Sequence, residues 1–330
     1  MVTVIAEIGS VHDGSFGNAQ KLIAVAAECG ADAVKFQTHI AEAETLRDAP
    51  APAYFSDEPR FDYFRRTAFT LDQWRRLAAD CEGRGVTFLS SPFSLEAVDL
   101  LEQVGVGAYK VPSGEVTNLP LLERIAATGK PVYLSSGMSD WRELDEAVEA
   151  LKGGGQVTVL QCSSAYPCPP ERVGLNVIGE MAERWGLPVG FSDHTDGPAA
   201  AIAAVALGAS VVEKHITFSR LMYGSDAANA TEPPQFREFV QALRAVQKMR
   251  ANPVDKDDLT PYRDMKKIFE KSVVAARDLP EGHVLGEGDL AYKKPGDGLP
   301  ARRWRDVLGR RLVRDVKADQ KLSEGDLASA

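Results

Sequence analysis

The chain has 330 residues, of which 44% are hydrophobic and 26% are charged, a composition typical of a soluble globular protein. Its formal net charge of −9 argues against a general nucleic-acid-binding or membrane-binding surface. Because the four cysteines show no CxxC spacing and the apolar run after Met1 is too short for a signal peptide or a membrane span, we expect a cytoplasmic protein with reduced thiols.

Apolar runs of strand length recur along the chain, and a helical pattern follows each of them. The predicted strands are 2–8, 33–36, 86–89, 108–111, 131–134, 157–161, 188–191 and 210–215. The predicted helices include 19–29, 71–82, 95–104, 118–127, 141–151 and 234–249. Eight strand–helix units in about 250 residues favour a (β/α)8 TIM barrel. An open doubly wound sheet is the alternative, although no GxGxxG motif follows the first strand.

Two segments do not fit the strand–helix alternation. The connection 39–70 is longer than a structural link requires, so we expect it to fold over the barrel mouth as a lid. Beyond the last helix, polar residues predict a linker at 253–270, and a series of glycine and proline turns predicts a separate module at 271–330. The predicted barrel therefore occupies residues 1–252. A module of this size is near the lower limit for an autonomous core.

Polar side chains follow the carboxyl ends of the predicted strands, where a barrel carries its active site. Lys35 and Lys110 are embedded in strands and cannot stay charged there unless they meet an anion or a carboxylate. Together with a ring of serine hydroxyls, they predict a pocket for a phosphate or carboxylate group. These serines are Ser91, Ser113, Ser135, Ser164 and Ser192. The alternative is that each lysine pairs with Glu7, Glu115 or Glu213, which costs desolvation for no evident gain.

Two histidines end successive predicted strands. Because adjacent strands lie about 4.8 Å apart, His194 and His215 are close enough to share one metal ion, with Asp193, Glu213 and Asp226 nearby. The alternative is that each is a hydrogen-bonded structural histidine. A metal site beside a cationic pocket suggests carbonyl chemistry, in which the metal polarises an aldehyde and the pocket holds a phosphorylated partner.

A set of short motifs in a fixed order resembles the sialic acid synthase family over the whole length of the chain. The motifs are Ala6-Glu-Ile-Gly9, His12-Asp-Gly14, Lys35-Phe-Gln-Thr38, Ser91-Pro-Phe93, Ser113-Gly-Glu115, Ser136-Gly-Met138, Tyr166-Pro167, Ser192-Asp-His194 and Glu213-Lys-His215. Residues 271–327 resemble that family's β-rich antifreeze-like (SAF) domain, including a Lys-Pro-Gly-x-Gly turn at 294–298. The resemblance implies a TIM barrel followed by a SAF domain, in a domain-swapped homodimer whose partner subunit closes the barrel mouth.

The activity implied by the resemblance is the condensation of phosphoenolpyruvate with the open-chain aldehyde of an N-acylated amino sugar. The sugar would be N-acetylmannosamine or a related 2,4-diacetamido hexose, and the products a nine-carbon 2-keto-3-deoxy sugar acid and phosphate. His194 and His215 would bind Mn²⁺, with Mg²⁺ or Co²⁺ as alternatives. Glu7, Glu115 and Lys110 would be catalytic. The substrates would contact Lys35, Gln37, Ser91, Ser113, Ser135, Ser164, Tyr166, Ser192, Asp226 and Lys294.

Several positions on the substrate side depart from the family pattern. These positions are Val11, Ser94, Gln161, Ser164, Ala165 and Lys294. At Lys294 the family usually has an arginine that reaches the N-acyl group, and a lysine offers a point charge rather than a planar fork. The motifs therefore indicate the reaction type more firmly than the sugar. Two alternatives stay open: an octulosonate-type synthase, which would need a second phosphate site, and a non-catalytic sugar- or surface-binding protein.

Overall fold

The computed structural model describes residues 1–50, 58–224 and 226–329. The chain divides into two compact units, Met1–Asn252 and Pro253–Ala330, which are described separately.

The first unit is a closed barrel of eight parallel strands. The strands are β1 Thr3–Gly9, β2 Ala33–Thr38, β3 Thr87–Pro92, β4 Ala108–Val111, β5 Val132–Ser135, β6 Val157–Cys162, β7 Val189–Asp193 and β8 Val211–His215. They follow chain order, and β1 pairs with β8 to close the barrel. The predicted TIM barrel is therefore confirmed, and the open-sheet alternative is wrong.

Helices connect the strands and cover the outside of the barrel. In this unit they are α1 Phe16–Glu28, α2 Ala41–Glu44, α3 Arg60–Thr67, α4 Leu71–Gly83, α5 Leu95–Val104, α6 Leu119–Ala126, α7 Trp141–Leu151, α8 Asn176–Trp185, α9 Ala199–Ala206 and α10 Pro233–Ala251. Side-chain caps define several of their starts: Thr70 and Asp140 form capping boxes with Gln73 and Glu143. The predicted connection 39–70 contains α2 and α3, and its residues 51–57 lie outside the described residues.

The barrel interior changes from apolar to polar along the strands. A separate buried cluster contains one residue from each of several strands, among them Ile5, Leu89, Leu160 and Val211. Because side chains alternate between the two faces of a strand, the residues two positions further on point to the same interior. Those residues are Glu7, Ser91, Cys162 and Glu213, and the same step takes Ala33 to Lys35 and Ala108 to Lys110. An apolar plug thus supports a polar ring at the carboxyl ends of the strands.

Among the described residues, no helix combines the length and the apolar character needed to cross a membrane.

The C-terminal unit contains helix α11 Arg263–Phe269, within the predicted linker, and an antiparallel pair formed by β9 Ser272–Ala275 and β10 Leu290–Lys293. The rest is built from turns, isolated bridges and short 3-10 helices around its own apolar core. An internal repeat organises this unit: RDLPEGHVLGEGDL at 277–290 corresponds to RDVKADQKLSEGDL at 314–327. In each copy the first arginine contacts the last aspartate. Leu279 and Val316, at equivalent positions, exchange backbone hydrogen bonds of 2.8 and 2.9 Å.

We expect Asp289→Asn to lower the unfolding free energy of this unit by roughly 1–2 kcal/mol at pH 7. The Asp289 carboxylate accepts hydrogen bonds from the Gly286 amide at 2.9 Å, His283 at 2.7 Å and Arg277 at 2.7 Å. These hydrogen bonds lower the pKa of Asp289 to about 2, and the bond from the Gly286 amide has the largest effect. A depressed pKa contributes stability that is present above the ordinary pKa of about 4 and is lost as the pH falls towards 2.

The difference between Asp289→Asn and the unchanged protein should therefore shrink below about pH 4. Hydrogen exchange of peptides from residues 271–329 measures this difference in stability for the C-terminal unit alone. Asp306→Asn, at an exposed ion pair with Arg303, is the matched control and should change exchange little. Equal effects of the two substitutions would contradict a specific role for Asp289.

Candidate active site

A cavity of about 540 Å³ opens at the carboxyl ends of the barrel strands. Most of the residues predicted from the sequence lie in its wall. They are Glu7, Lys35, Gln37, Lys110, Ser113, Ser135, Ser164, Tyr166, Ser192, His194, His215 and Asp226. The fold thus brings the two lysines and the two histidines to one open rim.

The two buried lysines differ in how well their charge is compensated. The Lys35 ammonium lies 3.0 Å from Glu7 Oε1 and 3.4 Å from Glu213 Oε1, and it donates to Ser91 at 3.2 Å. The pairing of a buried lysine with glutamates, which the sequence analysis kept as the alternative, therefore occurs at Lys35. Burial opposes its charge, but Glu213 and Glu7 outweigh burial and raise its pKa. Lys110 lies 3.9 Å from Glu213 Oε1, and burial, strengthened by the charge of Lys35, lowers its pKa. Lys110 is therefore the cation that would gain most from a bound anion.

The two carboxylates beside the lysines have opposite tendencies. Burial, reinforced by the charge of Glu213, raises the pKa of Glu7 to about 7 despite Lys35. Burial also acts against ionisation of Glu213, but Lys110 and Lys35 outweigh it and lower the pKa. Glu213 is thus the carboxylate that stays ionised, and Glu7 can hold or release a proton near neutral pH. With Glu7 protonated, two ammonium groups face one carboxylate, and the ring carries net positive charge.

Several polar atoms in the cavity wall have no hydrogen-bond partner among the described residues. They include Ser135 Oγ, Ser164 Oγ and Glu7 Oε2. The Ser135 residue is 1% exposed. An unsatisfied buried hydroxyl costs about 1–3 kcal/mol, so its presence in a cavity wall indicates a ligand that completes it.

His194 and His215 lie side by side, with ring centroids 5.7 Å apart. Burial lowers the pKa of His215 to about 4, so its ring is neutral, and its Nδ1 has no partner among the described residues. His194 Nδ1 lies 3.0 Å from the carbonyl oxygen of Ser163, which leaves Nε2 for another ligand. Burial opposes the charge of His194, but Cys162 and the Ser163 carbonyl outweigh burial and raise its pKa. Neutral imidazole nitrogens are preferred ligands of divalent transition metals, so His215 fits an ion in its neutral form, and His194 would release its proton on binding one. No group of three or more His, Cys, Asp or Glu side chains with metal-binding geometry occurs in the described part of the chain.

Other side chains of the cavity wall offer hydrogen bonds to a polar ligand. Asp226 accepts from the backbone amide and the hydroxyl of Ser10, both at 3.2 Å. Gly9, which ends β1 with φ +56°, permits this approach because a Cβ there would lie 2.5 Å from Asp226 Oδ2. Gln37 donates to Glu7 Oε1 at 2.8 Å, and the Tyr166 ring lies 4.2 Å from that of His194.

Two predicted residues of the barrel unit, Ser91 and Glu115, do not line this cavity, and a third predicted residue belongs to the other unit. Ser91 is buried behind Lys35. Glu115 accepts from Asn118 at 2.7 Å, and burial, with the charge of Glu44 adding to it, raises its pKa. Lys294 lies in the C-terminal unit, with its ammonium 5.0 Å from the centroid of the Phe269 ring.

The cavity wall also contains residues that the sequence analysis did not select. They include Ser10, His39, Arg60, Phe64, Phe93 and Cys162. His39 and Cys162 each stand at or directly after the end of a barrel strand, a position that could have identified them. Burial opposes ionisation of Cys162, but its hydrogen bond to His194 and the charge of that ring lower its pKa to about 7. Arg60 and Phe64 come from α3, and no strand-end pattern marks them.

Comparisons with known proteins cover both units. The NeuB family profile matches residues 22–255, and the SAF domain profile matches residues 270–328. N,N'-diacetyllegionaminic acid synthase of Campylobacter jejuni is 36% identical over 97% of this chain and 98% of its own length. N-acetylneuraminate-9-phosphate synthase of Homo sapiens is 35% identical over 97% of this chain and 91% of its own. A crystal structure of N-acetylneuraminic acid synthetase from Leptospira borgpetersenii, in complex with citrate, has a TM-score of 0.72 and 27% identity, covering 80% of this chain and 90% of that chain.

Proposed function

Because the chain belongs to the NeuB family and carries a SAF domain, we propose that it condenses phosphoenolpyruvate with the aldehyde of an N-acylated amino sugar. The products would be a nine-carbon 2-keto-3-deoxy sugar acid and inorganic phosphate. One observation carries the proposal: an undercompensated buried lysine, Lys110, shares a cavity with two adjacent imidazoles, His194 and His215. This arrangement offers an anion site and a carbonyl-activating site within reach of one another.

Phosphoenolpyruvate would bind on the lysine side. Its phosphate and carboxylate would neutralise Lys110 and share Lys35, and the free hydroxyl of Ser135 would donate to an anionic oxygen. Ser113 and Ser192 lie in the same wall. The apolar plug closes the cavity below this pocket. Phosphoenolpyruvate held there would therefore present its enol carbon to the side of the cavity that carries the histidines.

The amino sugar would bind on the histidine side. His194 and His215 would hold a divalent ion, which we propose to be Mn²⁺, with Mg²⁺ or Co²⁺ as alternatives. When bound, that ion supplies Lewis-acid polarisation of a carbonyl group. Gln37, Tyr166 and Asp226 would orient the sugar hydroxyls.

The reaction needs one proton delivered and one removed. Carbon 3 of phosphoenolpyruvate attacks the aldehyde carbon, the enol electrons form the new C–C bond, and the aldehyde oxygen takes a proton. Water adds to the cation at carbon 2 and loses a proton. The tetrahedral intermediate then releases phosphate by cleavage of the bond between C2 and the phosphate ester oxygen, and the departing phosphate takes the proton of the C2 hydroxyl, whose oxygen becomes the keto group. Glu7, whose pKa is about 7, is suited to give the first proton and to recover the second.

A phosphorylated acceptor is the second candidate. Arg60 lies in the wall of the mouth, and its buried Nε has no partner among the described residues. A guanidinium suits a phosphate group, as an octulosonate-type reaction or a sugar phosphate would require.

The test is phosphate release from phosphoenolpyruvate in the presence of Mn²⁺, with one aldehyde at a time. The panel contains N-acetylmannosamine, its 6-phosphate, 2,4-diacetamido hexoses and arabinose 5-phosphate, with a reaction lacking sugar as the control. Release with a non-phosphorylated amino sugar supports the proposal. Release with a phosphorylated aldose alone favours the second candidate. No release with any aldose would favour a binding protein and overturn the proposed reaction.

A further inference from the structure

A chain of hydrogen bonds runs from helix α2 to Glu7. Glu7 Oε1 accepts from Gln37 Nε2 at 2.8 Å, and Gln37 Oε1 lies 3.1 Å from His39 Nε2. His39 Nδ1 lies 2.8 Å from Glu44 Oε1. The side chains of His39 and Glu44 are 7% and 3% exposed, so water does not supply these partners. The chain of bonds therefore links the 39–70 connection to the carboxylate at the centre of the site.

The orientation of the Gln37 amide follows from its two neighbours. Because its NH2 group donates to Glu7, its carbonyl oxygen faces His39 and needs an N–H donor there. The other ring nitrogen of His39 faces the Glu44 carboxylate, which is also an acceptor. The bond to Gln37 therefore requires a proton on Nε2, and Glu44 holds the other side of the ring.

The ring of His39 is also held in place by stacking. Its centroid lies 3.6 Å from that of Phe64 and 4.1 Å from that of Phe93, with interplanar angles of 12° and 19°. The two aromatic faces fix the plane of the ring and therefore the direction of its Nε2–H bond. If packing were the only requirement, a phenylalanine would fill this slot without burying two polar atoms.

We propose that His39 is a positioning residue: it fixes the amide of Gln37, and Gln37 in turn holds the Glu7 carboxylate in its catalytic orientation. This inference rests on the proposed function, because it assigns Glu7 a proton-transfer role. Without the N–H of His39, the Gln37 amide can turn over and present its carbonyl oxygen to Glu7. Two acceptors would then face each other, and the carboxylate would rotate away or change its protonation.

Steady-state kinetics of His39→Phe test the inference, because this variant keeps the aromatic stack and removes both ring nitrogens. We expect kcat to fall roughly 10- to 100-fold, the size of effect typical of a group that orients a site ligand, with the KM for phosphoenolpyruvate within about threefold of the unchanged protein. Glu44→Gln should lower kcat less. Glu42→Gln, the same change at an exposed position of the same helix, should leave kcat unchanged. An unchanged kcat for His39→Phe would overturn the inference.

A double-mutant cycle separates positioning from a general structural effect. If His39 acts through Gln37, adding His39→Phe to a Gln37→Leu background should change kcat by no more than about twofold. The same loss of kcat in both backgrounds would overturn the inference.

A spectroscopic measurement separates this inference from the proposed reaction, because it does not need turnover. In the ¹⁵N spectrum of the full chain, the ring signals that disappear in His39→Phe should show a proton on Nε2, the nitrogen that faces the Gln37 carbonyl oxygen. An Nε2 without a proton would contradict the arrangement, whether or not the protein releases phosphate.

Discussion

We expect the Lys110→Met variant to lose roughly 10²- to 10³-fold in kcat/KM for phosphoenolpyruvate, because removing one partner of a buried charge pair costs about 2–5 kcal/mol. The loss should appear mainly in the KM for phosphoenolpyruvate and much less in the KM for the sugar. Lys110 is 2% exposed, and its ammonium has the Val111 carbonyl oxygen at 3.3 Å and Glu213 at 3.9 Å, so a bound anion would compensate its charge better than these partners do. Because burial opposes the charge of Lys110, and Lys35 remains 3.4 Å from Glu213 as a counter-ion, replacement by an apolar side chain of similar length should lower the unfolding free energy less than Lys214→Met does.

Lys214→Met is the matched control for this prediction. Lys214 is also a buried strand lysine, but it lies 2.8 Å from Asp193 Oδ2 and donates to the Thr195 carbonyl at 2.9 Å. Removing it leaves Asp193 buried and unpaired, which should lower the unfolding free energy by about 3–5 kcal/mol. The folded fraction should keep its KM for phosphoenolpyruvate. Steady-state kinetics and urea unfolding of both variants distinguish the two roles. A larger rise in the sugar KM than in the phosphoenolpyruvate KM for Lys110→Met would mean that the anion pocket is misplaced.

The barrel and much of its site could be predicted because both follow from local periodicity. Buried parallel strands read as short apolar runs, so their carboxyl ends are visible in the sequence, and closure brings those ends together. Predicted strand ends differ from the observed ones by a few residues; β7, for example, continues to Asp193. The side chains of Lys35, Lys110, His194 and His215 therefore meet as expected.

Pairing inside the site could not be read from the sequence in the same way. The register of β1 and β2 pairs Lys35 with Glu7. Glu213 is not paired with Glu7 in the register of β1 and β8, so its 3.4 Å contact with Lys35 does not follow from strand pairing. Which lysine is compensated depends on differences of less than 1 Å between contacts of 3.0, 3.4 and 3.9 Å, and a periodic pattern carries no information at that scale. The contribution of Arg60 depends on how the long connection folds back, which is set by tertiary packing. The repeat in the C-terminal unit is different in kind: RDxxxxxxLxEGDL occurs twice in the sequence, but the sequence analysis predicted only a module with turns there.

The second large effect is expected for His215→Ala, which should reduce metal-dependent turnover by roughly three orders of magnitude, because Lewis-acid stabilisation supplies several kcal/mol. His215 is the stronger of the two positions to test: its ring is buried and neutral, and its Nδ1 has no partner among the described residues. His194→Ala should have an effect in the same direction. EDTA should abolish turnover of the unchanged protein, and added Mn²⁺ should restore it.

Metal binding must be measured apart from turnover, since either histidine could also affect substrate binding. Electron paramagnetic resonance of free Mn²⁺, titrated with protein, reports the bound fraction directly. His215→Ala should weaken binding at least tenfold, because a two-imidazole site loses half of its protein ligands. His283→Ala, in the C-terminal unit, should retain the binding of the unchanged protein, since its ring is engaged with Asp289 at 2.7 Å. If both variants bind Mn²⁺ equally well, or if turnover survives EDTA, the pair of imidazoles is structural and the aldehyde must be activated by other groups in the same mouth.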